Sequence, residues 1–396
     1  MLVLFLTPTL IPGRQLIAEG LSTLAIVLMS TNLVLSTRAR ALERGLRGLD
    51  KLFVTHRTIG LSVALLVTLH FLLVPKSIGY VASKPVGYTT IAWLLLAIFI
   101  ASAPRFPWRK LVRMKYQTWK LTHRFMGMIV ALAVSHSLVA HTYTKTTPLL
   151  VGYVYGAAVL GLAAWLYREF AFRYFGPFRT FDVERSELVS SEIAEVVLAA
   201  PSQSLARTPG QFAFVSFEGG PSREQHPFTI ASGTGSPMRF SILASGDFTD
   251  DLLRGLAIGS AAVVEGPYGS FDYRRGLPRQ VWLAGGIGIT PFLSMAADLD
   301  DETSVLLIWS VHDSQDAVYE RELRMLGDRK SQLAYRIHAT SERGHLDVAT
   351  MKLDGGLHGY SFFVCGPVPM RQAIVKQLRR LGVPRSQVHF EEFRLR

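Results

Sequence analysis

Two kinds of hydrophobic pattern divide the chain. Up to about residue 172 the apolar positions come in long runs, at 16–37, 52–74, 87–103, 119–142 and 149–170. Each is near the roughly 20 residues needed to cross hydrocarbon. Five membrane spans are expected. Residues 1–12 are too short for a full crossing and leave a sixth, tilted or re-entrant, piece open. From about 178 the pattern becomes short alternating runs (FRTFDVERSEL, EIAEVVLAAP, QFAFVSFEG, PFTIAS, RFSILAS, AAVVEGPYG) parted by turn residues, as in a small antiparallel barrel. From 279 it changes again, to buried strands at 280–284, 305–309 and 361–365, with a glycine-rich turn and a helix after the first. The expected architecture is a membrane α-helical bundle of five or six spans (1–172), a β-barrel domain (173–277) and an α/β nucleotide-binding domain (278–396).

Charge gives the bundle a direction. The net charge is +12, which by itself would suit nucleic acid. The basic residues instead cluster in short loops: Arg38, Arg40, Arg44, Arg47 and Lys51 in one, Arg105, Arg109, Lys110, Arg113, Lys115 and Lys120 in another. That is the pattern of cytoplasmic loops facing anionic lipid, so membrane lipid and not nucleic acid is the expected partner. By alternation, Arg168, Arg173 and Arg179 fall on the same side, which places the C-terminal domains in the cytoplasm of a multi-pass protein of the plasma (inner) membrane. No cleavable signal peptide is expected. The single cysteine, Cys365, excludes an internal disulfide and a cysteine-built iron–sulfur or zinc site.

Four histidines interrupt the apolar runs. His56 and His70 lie in one, His123 and His136 in another. Ionisable residues inside spans are rare and usually functional. Both runs go from inside to outside, so the four pair by depth: His56 with His123 near the cytoplasm, His70 with His136 farther out. Fourteen helical residues rise about 21 Å, a reasonable separation for two stacked haems, and neutral imidazole is a good axial ligand for haem iron. One geometric point resists. On an ideal helix a fourteen-residue spacing returns to within about 40° of the same face, whereas the thirteen of His123 and His136 leaves about 140°. Either that helix is overwound or bulged, with Gly127 as the candidate position, or the two haem planes are rotated relative to each other. His141 is the fallback ligand. Arg57 and Arg124, beside the inner histidines, suit either haem propionates or lipid phosphates.

In the soluble half, His226-Pro227-Phe228-Thr229-Ile230-Ala231-Ser232 offers a flat apolar contact and hydrogen-bonding groups, as a flavin ring needs. Thr249, after Gly246-Asp247-Phe248, suits the N-cap of a helix whose free N–H groups could meet a pyrophosphate. Gly285-Gly286-Ile287-Gly288-Ile289-Thr290-Pro291 joins a strand to a helix, as a turn around a dinucleotide phosphate does. Cys365-Gly366-Pro367 ends a later strand. Cys365 reads either as a small buried hydrophobe or as a neighbour of the nicotinamide.

HPFTIAS, GDFT, EGPYG, GGIGITPFLS and CGP in this order, with the histidine spacings of fourteen and thirteen, resemble the NADPH oxidase and ferric reductase family. The soluble half is similar to the ferredoxin–NADP reductase superfamily. The resemblance implies that His226, Pro227, Phe228 and Thr229 bind FAD, with Thr249 near its phosphates; Ser232, at the end of the same segment, is a further candidate for the flavin's polar edge. It implies that Gly285, Gly286, Gly288, Ile289, Thr290 and Pro291 border NADPH or NADH, with Cys365, Gly366 and Pro367 close to the nicotinamide and Phe393 covering the flavin. Two haem b groups are implied on His56/His123 and His70/His136. The implied activity is that of a transmembrane NAD(P)H oxidase delivering electrons to external O2 to give superoxide. A ferric-chelate reductase has the same wiring, and a non-enzymatic haem-binding subunit is the reading from another class. The chain departs from the oxidases in continuing past Phe393 with Arg394-Leu395-Arg396, and in placing His312 where an arginine often meets a 2′-phosphate, although Ser310 and Arg343 could help. It also has no EF-hand loops, so no obligatory regulatory subunit is expected.

Overall fold

The computed structural model of the chain describes residues 11–46, 48–74, 83–102, 116–140, 142–199, 205–218, 225–244, 249 and 256–391. These form two compact units, one of Met1–Leu42 with Lys51–Gly176, the other of Glu43–Asp50 with Pro177–Arg396.

The first unit is helical. Its elements are α1 (Ile11–Leu35), α3 (Leu49–Leu73), α4 (Ser83–Ser102), α5 (Tyr116–His123), α6 (Met126–Val139) and α7 (Pro148–Leu166); the short α2 (Arg40–Leu46) after α1 runs from Glu43 on in the second unit. Apolar residues occupy every face of the long helices. Some therefore pack inward, with Ile26, Met29, Leu33, Val63, Ile129, Val130 and Val154 forming the core. Others, such as Leu61, Leu65, Val159 and Leu160, stay exposed, as a helix hydrophobic all round requires when its surroundings are lipid. Gly13–Leu35, Leu49–Leu73 and Pro148–Phe175 are each long and apolar enough to cross a membrane. The run expected as one span at 119–142 is two helices instead, α5 and α6, parted at Arg124–Phe125. The expectations for residues 1–12 and His141 fall outside the described residues, apart from the backbone of 11–12.

The second unit begins with a six-stranded antiparallel sheet of β1 (Phe178–Leu188), β2 (Ile193–Leu198), β3 (Phe212–Phe217), β4 (His226–Thr229), β5 (Met238–Leu243) and β6 (Ala261–Tyr268). The strand order is β4-β3-β6-β1-β2-β5. An antiparallel bridge between Ile230 and Phe240 brings the two edges together and closes the barrel. Alternation along the strands turns Phe181, Val183, Val196, Leu198, Val215, Phe240 and Val264 into its core.

A parallel five-stranded sheet follows: β7 (Arg279–Gly285), β8 (Ser304–Val311), β9 (Leu333–Ala339), β10 (Ser361–Cys365) and β11 (Val388–Phe390), in the order β11-β10-β7-β8-β9. The chain winds outward from β7 through β8 to β9, then returns to the other side of β7 as β10. The strand order therefore reverses between β7 and β10. In open parallel sheets the crevice at the carboxyl ends of such a strand pair is where ligands bind. Trp282, Phe292, Leu307 and Phe363 fill one face of the sheet, while Val281, Leu283, Phe362, Val364 and Ile374 fill the other.

Candidate functional site

In the helical unit, the four histidines face each other in the depth pairs expected from the sequence. The rings of His56 and His123 have centroids 6.0 Å apart, and those of His70 and His136 are 6.4 Å apart. Interplanar angles are 72° and 77°. An imidazole nitrogen binds a first-row metal at about 2 Å. Adding the distance from nitrogen to ring centre on both sides gives a separation of about 6 Å for two rings on one ion, so both pairs have the spacing of a bis-imidazole site.

The orientation of the rings supports this fit. His70 Nδ1 lies 2.9 Å from the carbonyl oxygen of Ala18 on α1, and His136 Nδ1 lies 2.8 Å from that of Ser83 on α4. A carbonyl can only accept, so Nδ1 carries the proton and Nε2 keeps its lone pair. His56 bonds to the backbone of Asn32, also on α1. Gly87 lets His136 sit where it does, because a Cβ there would be 2.8 Å from the imidazole. His123 is held differently. Its ring stacks on Trp119 one turn earlier (5.0 Å, 15°). No groups of three or more histidine, cysteine, aspartate or glutamate side chains are placed to hold a metal among the described residues. A haem needs only two protein ligands, one on each side of the ring.

The Arg124 guanidinium meets a carboxylate of the chain itself, Glu169 Oε2, 2.5 Å from Nε. The chain thus supplies this arginine with an anionic partner of its own, which neither sequence-based reading of Arg124 anticipated.

In the soluble unit the glycine-rich turn and the CGP segment come together at the reversal between β7 and β10. Ala284 is the register partner of Cys365. A Cβ on Gly288 would lie 2.5 Å from the Cys365 carbonyl oxygen, and one on Gly366 would lie 3.0 Å from Gly285 Cα. Gly366 and Gly286 also have positive φ (159° and 52°), the latter in the region that favours glycine. The lip of the crevice is thus backbone. Ile289, Thr290 and Pro291 then open the helix Thr290–Ala297, where all three are buried. The Cys365 side chain is fully buried among Phe271, Phe292 and Phe363, and burial pushes its thiol up, with Glu391 adding to the effect. It packs as a core residue.

His226, Pro227 and Phe228 line β4 half-buried, with His226 stacked on Phe228, and Thr229 is buried. Ser232 is drawn into the framework. Its hydroxyl oxygen accepts from Arg239 N–H, and its carbonyl accepts from the Ser294 hydroxyl at 3.0 Å. Thr249 is described, but Gly246–Phe248 and the residues after it are not, so the expected capped helix lies outside the described residues, as does Phe393.

Two features of this unit were not found from the sequence. Arg239 on β5 forms a forked ion pair with Glu322 of the helix Glu320–Arg329 (2.8 and 2.6 Å), and Glu195 on β2 lies 3.6 Å away. This joins barrel to parallel sheet through charges 83 residues apart in the sequence, in no recognisable motif. Glu391 is buried beside Gly269, whose Cβ would be 3.1 Å from its carboxyl. Burial, and then the charges of Asp50 and Glu43, push its carboxyl well above the usual range. Its one sequence signal was an acidic pair, Glu391-Glu392, after a strand.

Three families match successive parts of the chain: the ferric reductase like transmembrane component over residues 21–134, an FAD-binding domain over 178–272 and an oxidoreductase NAD-binding domain over 282–376. The glycine betaine monooxygenase reductase subunit of Chromohalobacter salexigens is 29% identical over 211 residues, which cover 47% of this chain and 55% of that protein. The flavohemoprotein of Vibrio cholerae is 24% identical over 54% of this chain and 59% of its own length. The chain thus spans a little over half the length of these relatives. Among solved structures, the flavohemoglobin of Malassezia yamatoensis, described with bound FAD and heme, superposes with a TM-score of 0.52 at 18% identity over 96% of both chains, a likeness of fold. The FAD/NAD-binding domain of the Vibrio cholerae nitric oxide dioxygenase covers 54% of this chain at 23% identity, with a TM-score of 0.48.

Proposed function

From a chain with the domain architecture of the NADPH oxidase and ferric reductase family, we infer a transmembrane oxidoreductase that takes electrons from cytoplasmic NAD(P)H and delivers them singly to an acceptor across the membrane. The observation that carries this reading is the pair of histidine couples at bis-imidazole spacing, 6.0 and 6.4 Å, in a chain that also has flavin and nicotinamide-nucleotide domains. His56 with His123 and His70 with His136 would each hold a haem b, and the barrel would hold FAD. These groups supply the change from hydride chemistry to one-electron chemistry and a path across the hydrocarbon.

The chain's own residues have three tasks. Ala18, Asn32 and Ser83 orient the rings through backbone carbonyls. The turn at 285–288 and the segment 365–367, where Gly286 opens onto free space and Gly288 and Gly366 pack backbone on backbone, would let a nicotinamide ribose and phosphate approach the main chain closely. His226, Phe228 and Thr229 present a stacking face and polar edge for the flavin. Two imidazoles per haem would leave the iron no site for the acceptor, and a haem held in this way would supply outer-sphere electron transfer. Dioxygen is the acceptor we favour: one NAD(P)H and two O2 give NAD(P)+, one H+ and two superoxide ions. A ferric chelate is the second reading, supported by the match to the ferric reductase like transmembrane component over residues 21–134.

The test is NAD(P)H-driven acceptor reduction by purified, FAD-supplemented protein, with superoxide dismutase as control and ferric chelate as competitor. Dismutase-sensitive reporter reduction is expected. Reduction of ferric chelate with no superoxide would overturn the dioxygen reading, and absence of haem from the purified protein would overturn the electron path.

A further inference from the structure

We propose that Trp165 and Gly127 form a clamp that holds a break in the second histidine helix, and that this break turns His123 toward His56. The inference rests on the reading of the histidine couples as haem ligands.

Both His123 and His136 face α3, although their thirteen-residue spacing would set them about 140° apart on an ideal helix. On α3 the fourteen-residue spacing leaves only about 40°. The second helix must therefore gain about 100° of turn somewhere between its two histidines. It does so just after His123. Phe125 N–H donates to Thr122 O (3.2 Å) and Met128 N–H to Phe125 O (2.9 Å), both three-residue bonds. Arg124 N–H is shared between Lys120 O and Leu121 O at 3.2 Å each. Such bonds belong to a 3₁₀ turn, which advances about 120° per residue where an α-helix advances about 100°. Each residue at that pitch adds about 20° toward the missing angle.

The tight turn takes the Met128 N–H from the Arg124 carbonyl. In lipid an unpaired carbonyl is costly. The Trp165 indole N–H supplies the bond, 2.8 Å from Arg124 O. A Cβ on Gly127 would fall inside the Trp165 ring, so the indole reaches this carbonyl only across a glycine. Directly after α7 the chain makes a π turn, Tyr167–Ala171, and from it Glu169 pairs with the Arg124 side chain. One end of α7 therefore holds both the carbonyl and the guanidinium of Arg124. His123, one residue before, has no ring hydrogen bond among the described residues, unlike His56, His70 and His136. Its direction is set by its backbone and by the stack on Trp119. Trp165 is thus a positioning residue that acts through His123.

The experiment uses full-length protein purified with its haem. Trp165→Phe keeps the ring and removes the N–H, and Gly127→Ala drives the indole away. Each is made in a His136→Ala background, which retains the inner haem, and in a His56→Ala background, which retains the outer one. The low-spin electron paramagnetic resonance signal and the redox titration are read, with haem and FAD content reporting folding. The expected result is a shifted g-value and midpoint for the inner haem in both variants, larger for Gly127→Ala, with the outer haem unmoved. Gly127→Ala/Trp165→Ala, which relieves the clash without returning the N–H, should keep the shifted signature. Inner-haem signals identical to the parent in both single variants, or a parental signature in the double variant, would overturn the proposal. Haem-free parent protein would instead sink the bis-histidine reading and the positioning role with it.

Discussion

The helical unit builds its site from side chains, whereas the soluble unit builds its site from the lack of them. In the first, four imidazoles project inward and backbone carbonyls fix three of them. In the second, Gly286 opens onto free space, and Gly288 and Gly366 let the backbones at the ends of β7 and β10 pack directly on each other. The contrast follows from what each must hold. A metal needs lone pairs at fixed positions. A pyrophosphate and a flat ring need close backbone approach and free N–H groups.

The strongest way to break this comparison is to remove a side chain from the first site. His70→Ala or His136→Ala should cost about half of the haem absorbance and abolish external acceptor reduction, measured by pyridine haemochrome and acceptor assay. Full haem retention in both would mean that these rings are packing groups. The reciprocal change adds a methyl to the second site. In Gly288→Ala the Cβ meets the backbone of Cys365, which cannot swing aside. NAD(P)H-dependent flavin reduction should fall at least tenfold while FAD content is unchanged, and a normal KM would show that the lip is not where the nucleotide lies.

Gly87→Ala crosses the two cases, because here a glycine serves a side chain. The methyl lies against His136, so the outer haem alone should change in midpoint or occupancy. Equal change in both haems would point to general loosening of the helices. Arg239→Ala removes the forked pair with Glu322 and leaves Glu195 buried without it. A loss of about 2 kcal/mol is expected, read from unfolding of the soluble unit by flavin fluorescence. An unchanged transition would show that the pair is offset by desolvation.

The smallest effect concerns Glu391. Its carboxyl is raised in the fold by burial, then by Asp50 and Glu43. The folded protein keeps a proton that the unfolded chain releases above about pH 4. This contribution to stability is therefore full at acid pH and declines as pH rises toward the folded value. Glu391→Gln should flatten that decline between about pH 5 and 8 in thermal unfolding. A slope equal to that of the parent would assign it to other groups, among them Glu195, whose carboxyl burial also raises.

What could be read from the sequence follows the same division. Ionisable residues in apolar runs stand out one by one, so His56, His70, His123 and His136 were legible along with their depth pairing. The glycine turns were legible as motifs because their spacing is short and local. The break at Arg124–Phe125 was visible only as a phase conflict. Within Thr122–Gly127 only Gly127 is a poor helix former, two residues past the break, and the indole that stabilises the break comes from a residue about forty positions later. Arg239 with Glu322 and the burial of Glu391 depend on pairings between distant strands and helices, for which single residues carry no signal.

The hydrogen bonds from α1 have one more consequence. Ala18 and Asn32, whose backbones meet His70 and His56, are themselves fourteen residues apart, and α1 runs opposite to α3. The first helix is a ruler laid along the third. A backbone carbonyl does not depend on the side chain it carries, so the two rings constrain the count between positions 18 and 32 rather than their residue types, although burial keeps Ala18 small. An insertion or deletion between His56 and His70 would require a matching one in α1, whereas the second histidine helix, with its adjustable turn, was free to settle at thirteen.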